Sequence, residues 1–67
     1  MITLFDFEKL NLKYGDYIWL MNKKGEGYFG FFYNDFNLSK KTFKFRNHSN
    51  GKDEIILIES LQRLERA

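Results

Sequence analysis

No cysteine and no proline occur in these 67 residues, histidine occurs once, and charge of neither sign dominates. Each shortage removes a class of explanation. Without cysteine there is no disulfide framework to staple a small chain, so stability has to come from packing. Zinc sites need several Cys or His ligands and find only His48 here. Eleven Lys and Arg against nine Asp and Glu leave a net charge of +2, which excludes a polybasic chain that holds its partner by field alone. No stretch approaches the roughly 18 consecutive apolar residues of a membrane helix. The opening Met1-Ile2-Thr3-Leu4-Phe5-Asp6 has no basic n-region, so neither a signal peptide nor a membrane span is expected. The lack of cysteine fits a reducing compartment, and a cytoplasmic protein is expected.

Large aromatic side chains are abundant instead. Eight Phe, four Tyr and one Trp make up 19% of the chain, and each can bury roughly 150–250 Å². A chain this short buries only about 60% of the surface its unfolded form exposes, so bulky residues or a partner subunit must make up the shortfall. A single domain over residues 1–67 is expected. Heavy use of Lys, Asn, Phe, Tyr and Ile resembles the output of an AT-rich genome, such as bacterial hosts and their phages often have.

Thr3 followed by Asp6 has the spacing of a capping box, with Asp in place of the usual Glu or Gln. It predicts a helix over Leu4 to Leu10, in a helical region of about 3–11, with Leu4, Phe7 and Leu10 on one stripe and Asn11 and Gly15 as stop signals. From Tyr17 the period changes to two. Tyr17 to Met21 is β-prone and apolar on both faces, Asn22 to Gly27 supplies turn chemistry, and a second strand runs from Tyr28 to Tyr33. After a polar connection from Asn34 to Lys40, the run Thr42-Phe43-Lys44-Phe45-Arg46 alternates apolar and basic residues. Asn50-Gly51 signals a two-residue type I′ hairpin turn leading into a strand from Glu54 to Glu59. In the tail, a helical turn at Ser60 to Gln62 followed by a short fifth strand is preferred to a frayed helix, because a curled sheet needs its edge covered.

The stretch from Ile18 to Leu38 carries Ile18 and Leu20, then Gly25-x-x-Tyr28-x-Gly30-x-Phe32, then Asp35 with Asn37-Leu38. In this it resembles the first conserved motif of the Sm-like small barrels. Leu12-x-x-Gly15-Asp16-x-Ile18 is similar to the approach to strand one in Src-homology-type barrels. The resemblance implies a mainly β fold: a small, five-stranded, strongly bent antiparallel barrel over about 17–65 with a short N-terminal helix. Many members of that family assemble into RNA-binding rings. It also implies that strand two bends too sharply at Gly30 to admit a side chain. Two departures stand beside the match. The loop after Phe32 is shorter than the family's, and the second family motif, an Arg-Gly pair that helps bind RNA bases, is absent, with Ile58-Glu59-Ser60 in its place.

In the register the resemblance implies, Ile18, Leu20, Tyr28 and Phe32 point inward, turning Tyr17, Trp19, Met21, Phe29, Phe31 and Tyr33 to the other face. That second face is too aromatic for a solvated surface. Either the N-terminal helix covers it through Leu4, Phe7 and Leu10, or part of it is left for a partner. Lys40, Lys41, Lys44 and Arg46 form the one basic cluster. The bland reading is the solvated face of a half-buried strand; the functional one is a phosphate-tracking stripe beside stacking groups such as Tyr33 or Phe36. Ile55-Ile56-Leu57-Ile58 is apolar on both faces, as a central strand covered on both sides or as an edge that pairs with a neighbouring subunit.

Catalysis finds little support. His48 lies in a polar turn, the carboxylates are scattered, and adjacent Asp53 and Glu54 point to opposite faces if extended. No catalytic residue, metal or cofactor is expected, and the chain is read as a binding module rather than an enzyme. The leading expectation is an oligomeric barrel that binds single-stranded nucleic acid or a nucleotide through Asp35, Phe36 and Asn37 with Lys40, Lys41, Lys44 and Arg46. The competing one is a protein-binding or inhibitory module, of the kind that phages and mobile elements encode. It would dock Tyr17, Trp19, Phe29, Phe31 and Tyr33 or a strand edge on a host protein.

Overall fold

The computed structural model describes residues 2–67. Local chemistry starts the fold. The Asp6 amide donates to Thr3 Oγ1 at 3.1 Å and the Thr3 amide donates to the Asp6 carboxylate at 3.0 Å, closing the capping box of helix α1 (Leu4–Lys9). Asn11 ends that segment in the left-handed region at φ +49°, which a short polar side chain tolerates. Five strands follow: β1 (Tyr17–Asn22), β2 (Gly27–Phe32), β3 (Thr42–Asn47), β4 (Asp53–Leu57) and β5 (Leu61–Arg66). All neighbours are antiparallel, in the order β4-β3-β2-β1-β5. The protein is therefore mainly β, with one five-stranded sheet and one short helix.

The sheet is not closed. No ladder joins β4 to β5, so the hydrogen-bonded closure of a barrel is not formed. The chain crosses from β4 to β5 through a 3₁₀ turn (Ile58–Ser60), and side chains of Ile56, Ser60 and Leu61 line the gap between the two edges. Both edges still feed one core. Ile58, Leu61 and Leu64 meet Phe43 and Phe45, with Ile18, Leu20 and Phe32 between them and Phe7 added from α1. Burying side chains of this size stabilises by about 1.5–3 kcal/mol each. Arg66 ties the last strand to the end of the helical segment by donating to the Leu10 carbonyl at 2.9 Å and to Asp16 Oδ2 at 3.2 Å.

Gly30 sits where β2 comes closest to β3. A Cβ there would collide with the Arg46 carbonyl oxygen and lie 2.6 Å from the Phe45 ring, so the position admits no side chain, as expected.

Two expectations about the second half need correction. Asn50-Gly51 does not make a type I′ turn, which needs positive φ at both residues. Residues 48–51 form the loop instead, with Gly51 alone in the left-handed region at φ +69°. The reason is local competition: Asn47 Oδ1 accepts from the Ser49 amide and Asn50 Oδ1 from the Lys52 amide, both at 2.8 Å, which props open a wider turn. Strand four ends at Leu57 rather than Glu59, because Ile58 leaves the ladder for full burial in the 3₁₀ turn, which itself precedes the turn expected at Ser60 to Gln62. Of the two readings of the fourth strand, the edge position holds: β4 ends the sheet, with Ile55 63% and Leu57 46% exposed. Among the described residues no helix is long and apolar enough to cross a membrane.

Candidate functional site

Directly opposed residues in a sheet share a face. The register Tyr17↔Phe31↔Arg46↔Asp53 therefore lays one row across the outer side, and Phe29↔Trp19↔Glu65 lays the next. Tyr33 continues the column beyond β2, its amide donating to the Lys44 carbonyl at 2.9 Å. The rings touch in sequence. Tyr17 lies 5.1 Å from Phe31 and 5.8 Å from Phe29, Trp19 lies 6.5 Å from Phe29, and Tyr14 stacks on Tyr33 at 5.0 Å. Offset stacked and tilted pairs at such spacings are attractive by about 0.5–1.5 kcal/mol beyond burial. Trp19 is held flat across Gly27, where a Cβ would approach its Nε1 to 2.9 Å.

The helix does not cover this face. Phe7 packs 6.0 Å from Phe32 and 5.4 Å from Phe43, with Leu4 and Leu10 against the same inner core, so the expected second layer over the outer aromatics is overturned. On the inner side Phe7 is buried among the rings of Phe32, Phe36 and Phe43. The outer rings are left half-buried by one another, with Phe29 48% and Tyr14 70% exposed.

His48 and Tyr14 belong to this surface although nothing in the sequence flagged them. The wider β3–β4 loop brings His48 Nδ1 to 2.8 Å from the Tyr17 hydroxyl and its ring to 5.9 Å from Phe31. Tyr14 arrives because the Gly15 amide donates to the Phe32 carbonyl at 2.7 Å, which folds the preceding loop over Tyr33. Neither placement is a matter of strand parity.

The cations at the border of the face are locally neutralised. Arg46 donates to Asp53 at 2.7 and 3.3 Å, which holds the Asp53 carboxyl below its ordinary pKa and raises that of Arg46. The Arg46 guanidinium also lies 4.6 Å from the Tyr33 ring centroid. Lys44 is 3.9 Å from Asp35, and Arg63 is 3.6 Å from Glu65.

The residues expected to bind nucleic acid do not converge. Lys44 and Arg46 share the outer face of β3, opposite the buried Phe43 and Phe45. Lys41 turns instead to the helical turn after β4, 3.2 Å from Glu59. Phe36 stacks on Phe7 at 5.2 Å, and Asn37 is spent on its own loop, accepting from the Lys40 amide at 3.0 Å and bridging to Thr42. Asp35 is exposed and lies beside Lys44 in a left-handed conformation at φ +47°. By contrast Tyr17, Trp19, Phe29 and Phe31 do form one continuous surface, which Tyr33 joins through Arg46, the residue opposite Phe31 that lies over the Tyr33 ring. That surface can bury apolar area and present ring faces. Among the described residues no cluster of three His, Cys, Asp or Glu side chains could hold a metal ion. Set against protein-family models, curated proteins and solved structures, the chain matches none.

Proposed function

We propose that this chain is a non-enzymatic binding module whose outer sheet face docks on a partner protein. The observation that carries the reading is the uncovered row Tyr17, Trp19, Phe29, Phe31. Contiguous apolar surface of this kind marks interaction sites, and Trp, Tyr and Arg are the side chains that dominate binding energy there. The neutralised border supports a protein partner over a polyanion, because Arg46, Lys44 and Arg63 each already have a carboxylate within 4.0 Å. We read the curled sheet as a small barrel of Sm-like or Src-homology type. Support for that comes from the forced glycine at Gly30 and the gap lined by both edge strands. A module that works by masking a host protein's surface, as phages and mobile elements encode, needs no more than this.

A second reading has its own observation. Tyr14 stacked on Tyr33 with Arg46 over the ring is an arrangement that also takes nucleobases, with Lys44 next along β3. The two readings separate by salt and by residue. The test is purification from the expressing cells without added nuclease, comparing wild type with Phe29→Asp and Tyr33→Ala at low and moderate salt. A bound protein that survives moderate salt and is lost from Phe29→Asp supports the first reading. Bound nucleic acid that is stripped by moderate salt supports the second. A protein retained in full by Phe29→Asp would overturn the first reading, and nucleic acid retained in full by Tyr33→Ala would overturn the second.

A further inference from the structure

One end of the inner face is stoppered by Phe7, which packs on Phe32, Phe36 and Phe43. The other end is open. There a cavity of about 360 Å³ lies between the two edges of the sheet, lined among others by Tyr28, Asn47, Glu54, Ile56, Ser60 and Leu61. Glu54 stands opposite Phe45 in the register, so its carboxylate is carried on the core-facing side of β4. Core-facing carboxylates need partners. Among the described residues the Glu54 carboxylate accepts one hydrogen bond, from Asn47 Nδ2 at 3.2 Å, and no Lys or Arg nitrogen lies within 4.0 Å of it.

Three of the surrounding donors are engaged, whereas the Tyr28 hydroxyl and Asn50 Nδ2 border the cavity without a hydrogen bond to the described residues. Asn47 Nδ2 is given to Glu54, Asn22 Nδ2 to Glu26 at 2.8 Å, and the Ser60 hydroxyl to the Leu57 carbonyl at 2.6 Å. What the cavity still offers is acceptor capacity on the Glu54 carboxylate, the Tyr28 ring beside it, and an apolar floor that includes Leu20, Ile56 and Leu61. A carboxylate and an aromatic face favour a cation, and the floor favours an alkyl stem behind it. We infer that this cleft is a second binding site, distinct from the outer face, that takes an alkyl cation: a guanidinium or ammonium group on an aliphatic chain. An arginine or lysine side chain of a peptide and a free alkyl amine present the same chemistry. The inference does not depend on what docks on the aromatic face, because the two sites lie on opposite sides of the sheet.

The test is titration of the ¹⁵N-labelled chain with N-acetyl-arginine amide, N-acetyl-lysine amide and putrescine, using N-acetyl-citrulline amide as the uncharged control of the same shape. The expected result is saturable shifts centred on Tyr28, the Asn47 side-chain amide, Glu54 and Ile56, with citrulline amide at least tenfold weaker. Glu54→Gln keeps an acceptor for Asn47 and should fold, yet lose affinity by a similar factor. Glu8→Gln, in α1 at the stoppered end, should leave it unchanged. If only the arginine and lysine amides saturate, the cation is a peptide side chain; if putrescine saturates equally, the site takes free amines as well. No saturable shift with any cation, shifts centred elsewhere, or equal affinity for citrulline amide would overturn the site. Were Glu54→Gln to unfold, the citrulline comparison on the wild-type chain alone decides it.

Discussion

The two faces of this one sheet carry nearly the same kind of side chain and have opposite fates. The inner face presents Ile18, Leu20, Phe32, Phe43 and Phe45, all buried; the outer face presents Tyr17, Trp19, Phe29, Phe31 and Tyr33, none of them buried. Apolar content does not distinguish them. What does is which face the rest of the chain packs against. The helix, the 3₁₀ turn and β5 all contribute to the inner side, leaving the outer rings to shelter one another. A surface maintained that way stays intact without being core, which is what a docking face requires.

The comparison can be broken most sharply by truncation on each side. Phe43→Ala should cost about 3–5 kcal/mol, a large part of the stability of a domain this small, whereas Phe29→Ala should cost within about 1 kcal/mol. Urea denaturation of both variants checks this; equal costs would mean that the outer rings are structural. Gly30→Ala should come next, destabilising by about 1–3 kcal/mol as the methyl group meets the Arg46 carbonyl oxygen and the Phe45 ring and pushes β2 from β3. A thermal melt no lower than wild type would show that the strands can part at no cost.

Smaller effects sharpen the borders of the two faces. Arg66→Met removes the donor to the Leu10 and Asn11 carbonyls and should loosen the helix by about 1 kcal/mol while leaving the outer rings in place, as read by amide exchange in α1. Acid should act more weakly still. Asp6 is held below its ordinary 3.8 by the Thr3 amide, Asp16 by the Lys13 amide and then Arg66, and Asp53 by the Arg46 guanidinium. A carboxyl whose pKa is lowered by folding adds stability that is complete above the unfolded value and is lost as pH falls through the folded one. Stability should therefore be flat down to about pH 5 and decline below about pH 4. Asp16→Asn should flatten part of that decline, measured as the urea midpoint against pH; an unchanged profile would remove Asp16 as a contributor.

Much of this was legible in the residues because it follows from strict local rules. The alternation Thr42-Phe43-Lys44-Phe45-Arg46 gave the faces of β3 correctly, and Thr3 with Asp6 gave the helix cap. Gly30 was recognisable as a position without room for a side chain. The parity of Asp53 and Glu54 also held: one pairs with Arg46 outside and the other with Asn47 inside. What could not be read is anything that depends on which of two equivalent choices the tertiary structure takes. In β1 and β2 both faces are apolar, so no binary pattern says which one the helix will cover. Lys41 and Arg46 looked alike as cations, and only the path of the 3₁₀ turn brings Glu59 to the first and the β3–β4 register brings Asp53 to the second. Asn50-Gly51 announced a tight turn that the side chain of Asn47 widened. His48 reached the aromatic face through that widening.

Everything proposed for the outer face depends on its rings meeting solvent in the free chain. The most direct measurement is relaxation enhancement of aromatic protons by a soluble neutral paramagnetic probe. Strong enhancement is expected for Phe29 and Tyr14, intermediate values for Tyr17, Trp19 and Phe31, and almost none for Phe43 and Phe45. Protection of Phe29 and Tyr17 to the level of Phe43 at the lowest workable concentration would contradict that exposure.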